Sequence, residues 1–300
     1  MPKASFISTD NRQLEVEYET FGDPSHPALL MIMGYSAQMT AWPEGFIKKL
    51  ASAGYYVIRF DNRDCGLSTH LDGVFVDVGP VIAAALFDDP IPPIPYSLVD
   101  MAGDAVALLD HLGIERAHIA GMSLGGMVSQ VVAYTHPHRV MTLTSISSQP
   151  GDPEVGQPTM EASAVIFEEA PAGMSREDYI ESSLNWQVWQ SQKYRDDNLS
   201  RTAAALAYDR AFYPEGATRQ LAAVYGTGRR HDQVATISVP TLVIHGTDDT
   251  LITPSGGERT AELVPNSTLV MVDDMGHDLP QPLWPLLTNA IVDHLSRVQA

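Results

Sequence analysis

The sequence predicts an α/β fold, a mostly parallel, doubly wound sheet carrying an inserted, mainly helical cap. Three observations predict it. Short apolar runs alternate with amphipathic stretches in both end portions of the chain. A Gly-x-Ser-x-Gly tract lies where one such run passes into a helical stretch. Strand-like runs are lost between residues 150 and 235, and the rhythm then returns. Strands alternating with helices imply a parallel sheet covered on both faces. The interruption divides the chain into a core formed by residues 1–149 and 236–300 and a cap formed by residues 150–235.

The elements follow in order. "LEVEYETFG" (14–22) alternates apolar and polar with period two, as a half-exposed strand does. "ALLMIMG" (28–34) is a continuous apolar run closed by glycine, the pattern of a buried parallel strand. "WPEGFIKKLASAG" (42–54) has helical spacing and a terminal glycine, and "YYVIRFD" (55–61) is a second buried strand. "VFVDVGPVIAAALF" and the proline-rich "DDPIPPIPYS" (88–97) together predict an apolar flap on a stiff, extended connection. "SLVDMAGDAVALLDHLG" (97–113) reads as a long helix with a serine at its start and a glycine after its end. "RAHIAG" leads as a strand into "SLGGMVSQVVAYTHP", a helix that stops at Pro137, and "VMTLTSIS" (140–147) is the next strand. After the cap come a strand in "VPTLVIHGTDD", a helix in "GGERTAELV", a strand in "STLVMVDDMGH" and a final helix in "LLTNAIVDHLSRVQ".

Composition narrows the function. The net charge is −19, from 37 acidic and 18 basic residues, and the longest basic cluster is Arg229-Arg230. Nucleic-acid binding needs a basic footprint, so it is excluded as a working class. The same charge repels anionic membrane surfaces and anionic substrates at long range. The N-terminal stretch has no apolar signal region and no run is long enough to span a membrane, so a cytoplasmic protein without stable membrane association is expected. The single cysteine, Cys65, rules out an internal disulfide and reads as a small packed residue. His136 and His138 lack a convergent third ligand, so no metal site is expected.

"GMSLGG" places Ser123 at a strand-to-helix turn, with Gly121 and Gly125 two residues to either side. Three fixed positions of this kind match by chance in roughly one chain of this length in ten. Partners therefore decide. A serine hydroxyl needs a base to become a nucleophile. Of ten histidines, His277 in "DDMGHDLP" sits just after a late strand. A base of this kind needs a carboxylate to hold its tautomer, and "VIHGTDDTLITP" offers Asp248 or Asp249. The chain order Ser, Asp, His is that of the nucleophile-elbow hydrolases. His245 reads as a packed strand-end histidine, since one base suffices. Arg63 and Asp64 read as a turn with a buried ion pair.

With "LLMIMGYS", "IRFDNRDCGLS", "HIAGMSLGGMV", "VIHGTDDTLITP" and "MVDDMGHDLP" in place, the chain resembles the α/β-hydrolase fold superfamily, of the serine esterase and lipase type. Within it, "MG" before Tyr35 and "RFDNRDCGLST" are similar to aclacinomycin methylesterase-type and mycobacterial lipase/esterase-type proteins. The resemblance puts the nucleophile on Ser123, the acid on Asp249 and the base on His277. It implies an oxyanion hole from the backbone N–H groups of Tyr35 and Leu124. Met33 departs from the family's common histidine, which leaves the backbone donor intact. The implied activity is hydrolysis of an uncharged, apolar small-molecule ester through an acyl-enzyme, with no cofactor. Lactone hydrolysis, carbon–carbon bond hydrolysis or cofactor-free perhydrolysis could run on the same three groups, and a non-enzymatic ligand receptor is the alternative of another class. Trp186, Trp189 and Tyr208 are expected to line the substrate pocket.

Overall fold

The computed structural model describes residues 2–168 and 170–298; residues 1, 169, 299 and 300, which fall within the expected core, cap and last helix, lie outside the described residues. Eight strands form one sheet: β1 (Lys3–Ile7), β2 (Gln13–Phe21), β3 (Ala28–Ile32), β4 (Tyr56–Phe60), β5 (Ala117–Met122), β6 (Val140–Ile146), β7 (Thr241–Gly246) and β8 (Ser267–Val272). Their spatial order is β1-β2-β4-β3-β5-β6-β7-β8. β1–β2 and β2–β4 pair antiparallel, and every other neighbouring pair is parallel.

The strand pattern follows from which faces are covered. All residues of β3, β5, β6 and β7 are buried, which is why none of these segments carries Asp, Glu, Lys or Arg and β3 is a continuous apolar run. Successive side chains of β3 go to opposite faces. Leu30 and Ile32 join Met101 and Leu108 of one helix and Val128 of the next in one core cluster. Leu29 and Met31 join Phe46, Ile47, Leu287 and Ile291 in the other. Each fully buried aliphatic side chain contributes about 1.5–3 kcal/mol relative to exposure.

The helices are α1 (Glu44–Ser52), α2 (Val78–Phe87), α3 (Leu98–His111), α4 (Leu124–Thr135), α5 (Met160–Ile166), α6 (Arg176–Ser182), α7 (Asp197–Ala211), α8 (Glu215–Thr227), α9 (His231–Val234), α10 (Ser255–Leu263) and α11 (Trp284–Leu295). Ser97 caps α3 in a reciprocal capping box with Asp100. The crossover from β3 goes to β4 on one side, while β5 lies on its other side. The carboxyl ends of β3 and β5 therefore form the topological switch point, where open α/β sheets bind ligands.

Two elements differ from the sequence expectation. β1 is an edge strand whose five residues carry too little pattern to announce it. The expected flap is the helix α2, N-capped by Asp77, whose side chain accepts from Gly79 N. Gly79 and Pro80 suggest a turn, but proline is tolerated in the first helical turn. α2 packs against α8.

α5 to α8 lie between β6 and β7. The segment leaves and rejoins the core at one place: Arg230 N donates to Pro150 O at 3.1 Å, and Arg230 Nη2 donates to Gln149 O at 2.9 Å. α9 already packs on the core, its Val234 clustering with Ala133, Leu143 and Val264. Two arginines, one buried and one half-buried, tie the inserted helices to the loop after β4. Arg219 of α8 grips Asp64 through Nε and Nη2, both at 2.8 Å. Arg210 of α7 meets Asp61 at 2.8 Å. Arg63 does not pair with its neighbour Asp64; it reaches Asp104 through Nε at 2.6 Å and Nη2 at 2.7 Å. Consecutive side chains in this turn point to different elements, so each charge finds its partner elsewhere.

Arg219→Met leaves Asp64 buried and unpaired. It is expected to lower the unfolding free energy by about 3–5 kcal/mol, read from the urea midpoint. An unchanged midpoint would mean the pair contributes no net stability.

Candidate active site

Ser123 sits between the last residue of β5 and the first of α4, with φ 57° and ψ −124°. That conformation costs a non-glycine residue about 1–3 kcal/mol and survives only where neighbours over-determine it. Here they do. Ser123 N donates to Ile146 O at 2.9 Å, and its carbonyl accepts from Ser148 Oγ at 2.8 Å and Met127 N at 3.1 Å. The turn admits no side chains beside it. A Cβ on Gly121 would stand 2.0 Å from Gly125 O, and one on Gly125 would stand 2.0 Å from Ile32 O.

The loop after β3 lies against this turn: a Cβ on Gly34 would come within 3.1 Å of Ser123 Cβ. Tyr35 follows it. Leu124 N is the first amide of α4, one of the four that have no acceptor inside a helix. The Tyr35 loop is pinned from α8, where buried Gln220 accepts from Ser36 N at 2.8 Å and donates to Arg63 O at 2.9 Å. Gln220 carries no local sequence signal; its role comes from contacts far apart in the chain.

The other two candidates come from the loops after β7 and β8. Asp249 is buried, and its Oδ2 lies 2.7 Å from His277 Nδ1. Its Oδ1 accepts from Leu251 N at 3.0 Å and Ile252 N at 2.9 Å. Asp248 is exposed and accepts from its neighbour Thr247 Oγ1, at 3.1 Å. The structure thus brings Asp249, not Asp248, to His277. His245 is fully buried, with Nε2 2.8 Å from Ile252 O and 3.5 Å from Asp249 Oδ2. Two acceptors facing Nε2 place its proton there. Burial favours the neutral acid at Asp249, but the His277 charge and the hydrogen bonds from His245 and His277 outweigh it and hold the carboxyl down at about 2.

Tyr35, Ser123, Leu124, Leu251 and Ile252 border one open cleft of about 590 Å³, solvent mouth included. Asp249 accepts from two of these residues, so the serine half and the acid half of the site meet at this cleft. Among the described residues no hydrogen bond joins Ser123 Oγ to His277. Such bonds are commonly long without substrate and tighten in the reacting complex. The remaining walls are mainly apolar, from Met127, Ile166, Phe167, Leu221, Val224 and Tyr225, and among the described residues no charged side chain is in the lining.

Trp186, Trp189 and Tyr208 are not in the lining, against the sequence expectation. Trp186 meets Tyr179 edge-on at 5.7 Å, and Tyr208 stacks on Phe212 at 4.6 Å with its hydroxyl bonded to Met174 O. Trp189 offers its carbonyl to His277 N at 2.6 Å. Trp186 and Tyr208 pack among the aromatics of the cap, which the helical spacing of Tyr208 and Phe212 permits equally well. Besides Tyr35, the aromatics that line the cleft are Phe167 and Tyr225, 6.4 Å apart between ring centres. Leu221, Val224 and Tyr225, spaced i, i+3, i+4, formed the available signal for the α8 wall. Cys65 is buried, which pushes its thiol well up. Among the described residues no group of three or more His, Cys, Asp or Glu could hold a metal ion, and no helix is long and apolar enough to cross a membrane.

This geometry on this sheet defines a class. The chain belongs to the α/β-hydrolase fold family, whose sequence pattern matches residues 27–280, and it is a hydrolase of the carboxylesterase and lactonase type. Rhodomycin D methylesterase DauP of Streptomyces sp. (strain C5) is 28% identical to it over 296 residues, covering 92% of this chain and 93% of that protein. 3-Oxoadipate enol-lactonase 2 of Acinetobacter baylyi is 25% identical over 281 residues, 91% of each. The crystal structure of the enol-lactonase from Burkholderia xenovorans LB400 has the same fold, with a TM-score of 0.71 over 97% of this chain and 99% of that one at 20% identity.

The depressed Asp249 carboxyl has a consequence for stability. Its contribution is complete above the unfolded-state value of about 3.9 and is lost as pH falls from there towards about 2. Between these limits the urea midpoint of the wild type is expected to fall more steeply with pH than that of Asp249→Asn. Parallel curves would contradict the shift.

Proposed function

We propose that the chain hydrolyses uncharged, apolar carboxylic esters through an acyl-enzyme on Ser123. The observation that carries this reading is the 2.7 Å contact between His277 Nδ1 and buried Asp249, whose other oxygen accepts from Leu251 and Ile252 on the wall of the cleft that holds the strained serine. Asp249 keeps the Nδ1 proton in place, which leaves the Nε2 lone pair of His277 to act as base. Ser123 Oγ gives its proton to Nε2 as it attacks the ester carbonyl carbon. The oxyanion so formed is held by the Tyr35 and Leu124 amides, and one donor of this kind is typically worth about 10²–10³ in rate. Collapse of the tetrahedral species breaks the bond to the alcohol oxygen, which takes the proton from His277. Water then attacks the acyl-enzyme by the same route. The acid departs, and Ser123 recovers its proton.

The cleft also supports the substrate class. Among the described residues the lining has no charged side chain to partner an ionic group, whose burial would be costly. The chain's net charge of −19 disfavours anions in addition. A second reading, opening of a neutral lactone ring by the same groups, is supported by the lactonase among the relatives. In a lactone the leaving alcohol stays tethered to the acyl group, and nothing else in the scheme changes.

A panel of p-nitrophenyl esters of graded acyl length, with neutral lactones alongside, tests both readings. Turnover of esters is the expected result, and turnover of lactones alone would move the proposal to the second reading. A fluorophosphonate probe should label Ser123. Failure to label the folded protein would overturn the nucleophile assignment and favour a ligand receptor. Asp249→Asn is expected to lower kcat on the order of 10⁴-fold, by analogy with other triads, while Asp248→Asn stays near wild type. The reverse pattern would exchange the two aspartates.

A further inference from the structure

One short stretch of the cap, residues 188–191, touches both loops that carry the base and the acid. Thr250 Oγ1, beside Asp249, donates to Val188 O at 2.8 Å. His277 N donates to Trp189 O at 2.6 Å. Gly276 N donates to Ser191 Oγ at 2.9 Å. On the far side of the histidine, Ser191 N donates to Asp278 Oδ2 at 3.2 Å, and Ser191 Oγ donates to Asp278 Oδ1. The three consecutive residues 276–278 are thus each bound to this stretch.

Ser191 is the centre of the arrangement. It is fully buried. A hydroxyl has one proton and two lone pairs. Its proton goes to Asp278, which turns a lone pair towards the Gly276 amide, so one oxygen holds the chain on both sides of His277. The approach is close enough to forbid a side chain at 276: a Cβ there would stand 2.5 Å from Trp189 O and from Ser191 N.

We infer that Ser191 is a positioning residue for His277. It fixes the backbone on both sides of the base and makes the base geometry depend on seating of the 188–191 stretch. The inference rests on the proposed role of His277. It goes beyond that role by assigning its orientation to the cap rather than to the core loop alone. Removing the hydroxyl leaves the Gly276 amide buried without its acceptor and takes one donor from Asp278, so the histidine backbone shifts. A displacement near 1 Å at a reacting group costs about 10²-fold in rate.

Ser191→Ala is expected to lower kcat on a p-nitrophenyl ester by about ten- to a hundredfold, with KM changed by less than about twofold. Ser191→Thr, which retains the hydroxyl, should recover most of the loss. Ser183→Ala is the control. Ser183 is also a buried cap hydroxyl, bonded to Ile180 O at 2.6 Å, but it makes no hydrogen bond to the histidine loop, and its removal should leave kcat unchanged. The downfield proton resonance of the His277–Asp249 hydrogen bond should shift or broaden in Ser191→Ala and not in Ser183→Ala. Wild-type kcat and an unmoved resonance in Ser191→Ala, with only the melting temperature lowered, would overturn the inference. So would an equal loss of kcat in Ser183→Ala. If Ser191→Ala does not fold, Asp278→Ala leaves the hydroxyl in place but free to rotate; a smaller, kcat-only loss supports the inference and an unchanged kcat overturns it. If the wild type hydrolyses no ester and is not labelled at Ser123, the functional reading fails. The resonance, which needs no turnover, still decides whether Ser191 orients His277.

Discussion

The turn at Ser123 is the constraint around which the rest is arranged. A strand and a helix joined through a single residue at φ 57° demand that everything around the joint be small or be backbone. This accounts for the glycines at 121 and 125, and for the hydrogen bonds that reach the serine's peptide groups from β6 and from Ser148. The strain is local, but its support is not: the nearest contacts come from β3, β6 and the loop beyond β6. A sheet whose order reverses between β3 and β5 supplies these supports from both sides, so the switch point and the strained turn belong together.

The inserted helices act through a few buried polar contacts as well as through apolar packing. Arg210 and Arg219 bind the aspartates of the turn after β4, Gln220 holds the loop carrying Tyr35, and residues 188–191 hold the loops carrying Asp249 and His277. A buried charge without a partner costs more than a lost apolar contact, so such pairs favour one seating of the cap over its alternatives. Each of these arginines is matched by a buried aspartate, so the pairs add no net charge beneath the cap, and the chain's excess of 37 acidic over 18 basic residues lies elsewhere.

Much of this was legible from the sequence, for reasons that differ by residue. Ser123 could be read because the turn imposes small residues at fixed spacing. The central strands could be read because burial on both faces keeps Asp, Glu, Lys and Arg out of β3, β5, β6 and β7. Asp248 and Asp249 could not be told apart by composition: they are neighbours, and only the path of the loop buries one and exposes the other. Tyr225 and Phe167 were missed because what lines the cleft depends on how α5 and α8 sit, which no local pattern encodes. Trp186 and Tyr208, expected at the pocket, lie outside the cleft lining for the same reason, since an aromatic within a helical cap packs on its fellows as readily as on a ligand. The glycine and proline that open α2 resemble a turn, and only its packing on α8 makes the helix evident.

The single junction at Pro150 and Arg230 has a bearing on how such a protein can change. Because the chain leaves and returns at adjacent backbone positions, the span between them is a closed excursion. Its length does not enter the register of β6 and β7. Lengthening a closed loop costs only about 0.6 kcal/mol for each doubling. The walls of the cleft can therefore be rebuilt, by substitution or by insertion, without asking the sheet to move. The limits on such rebuilding are the few anchors that must find the same partners again.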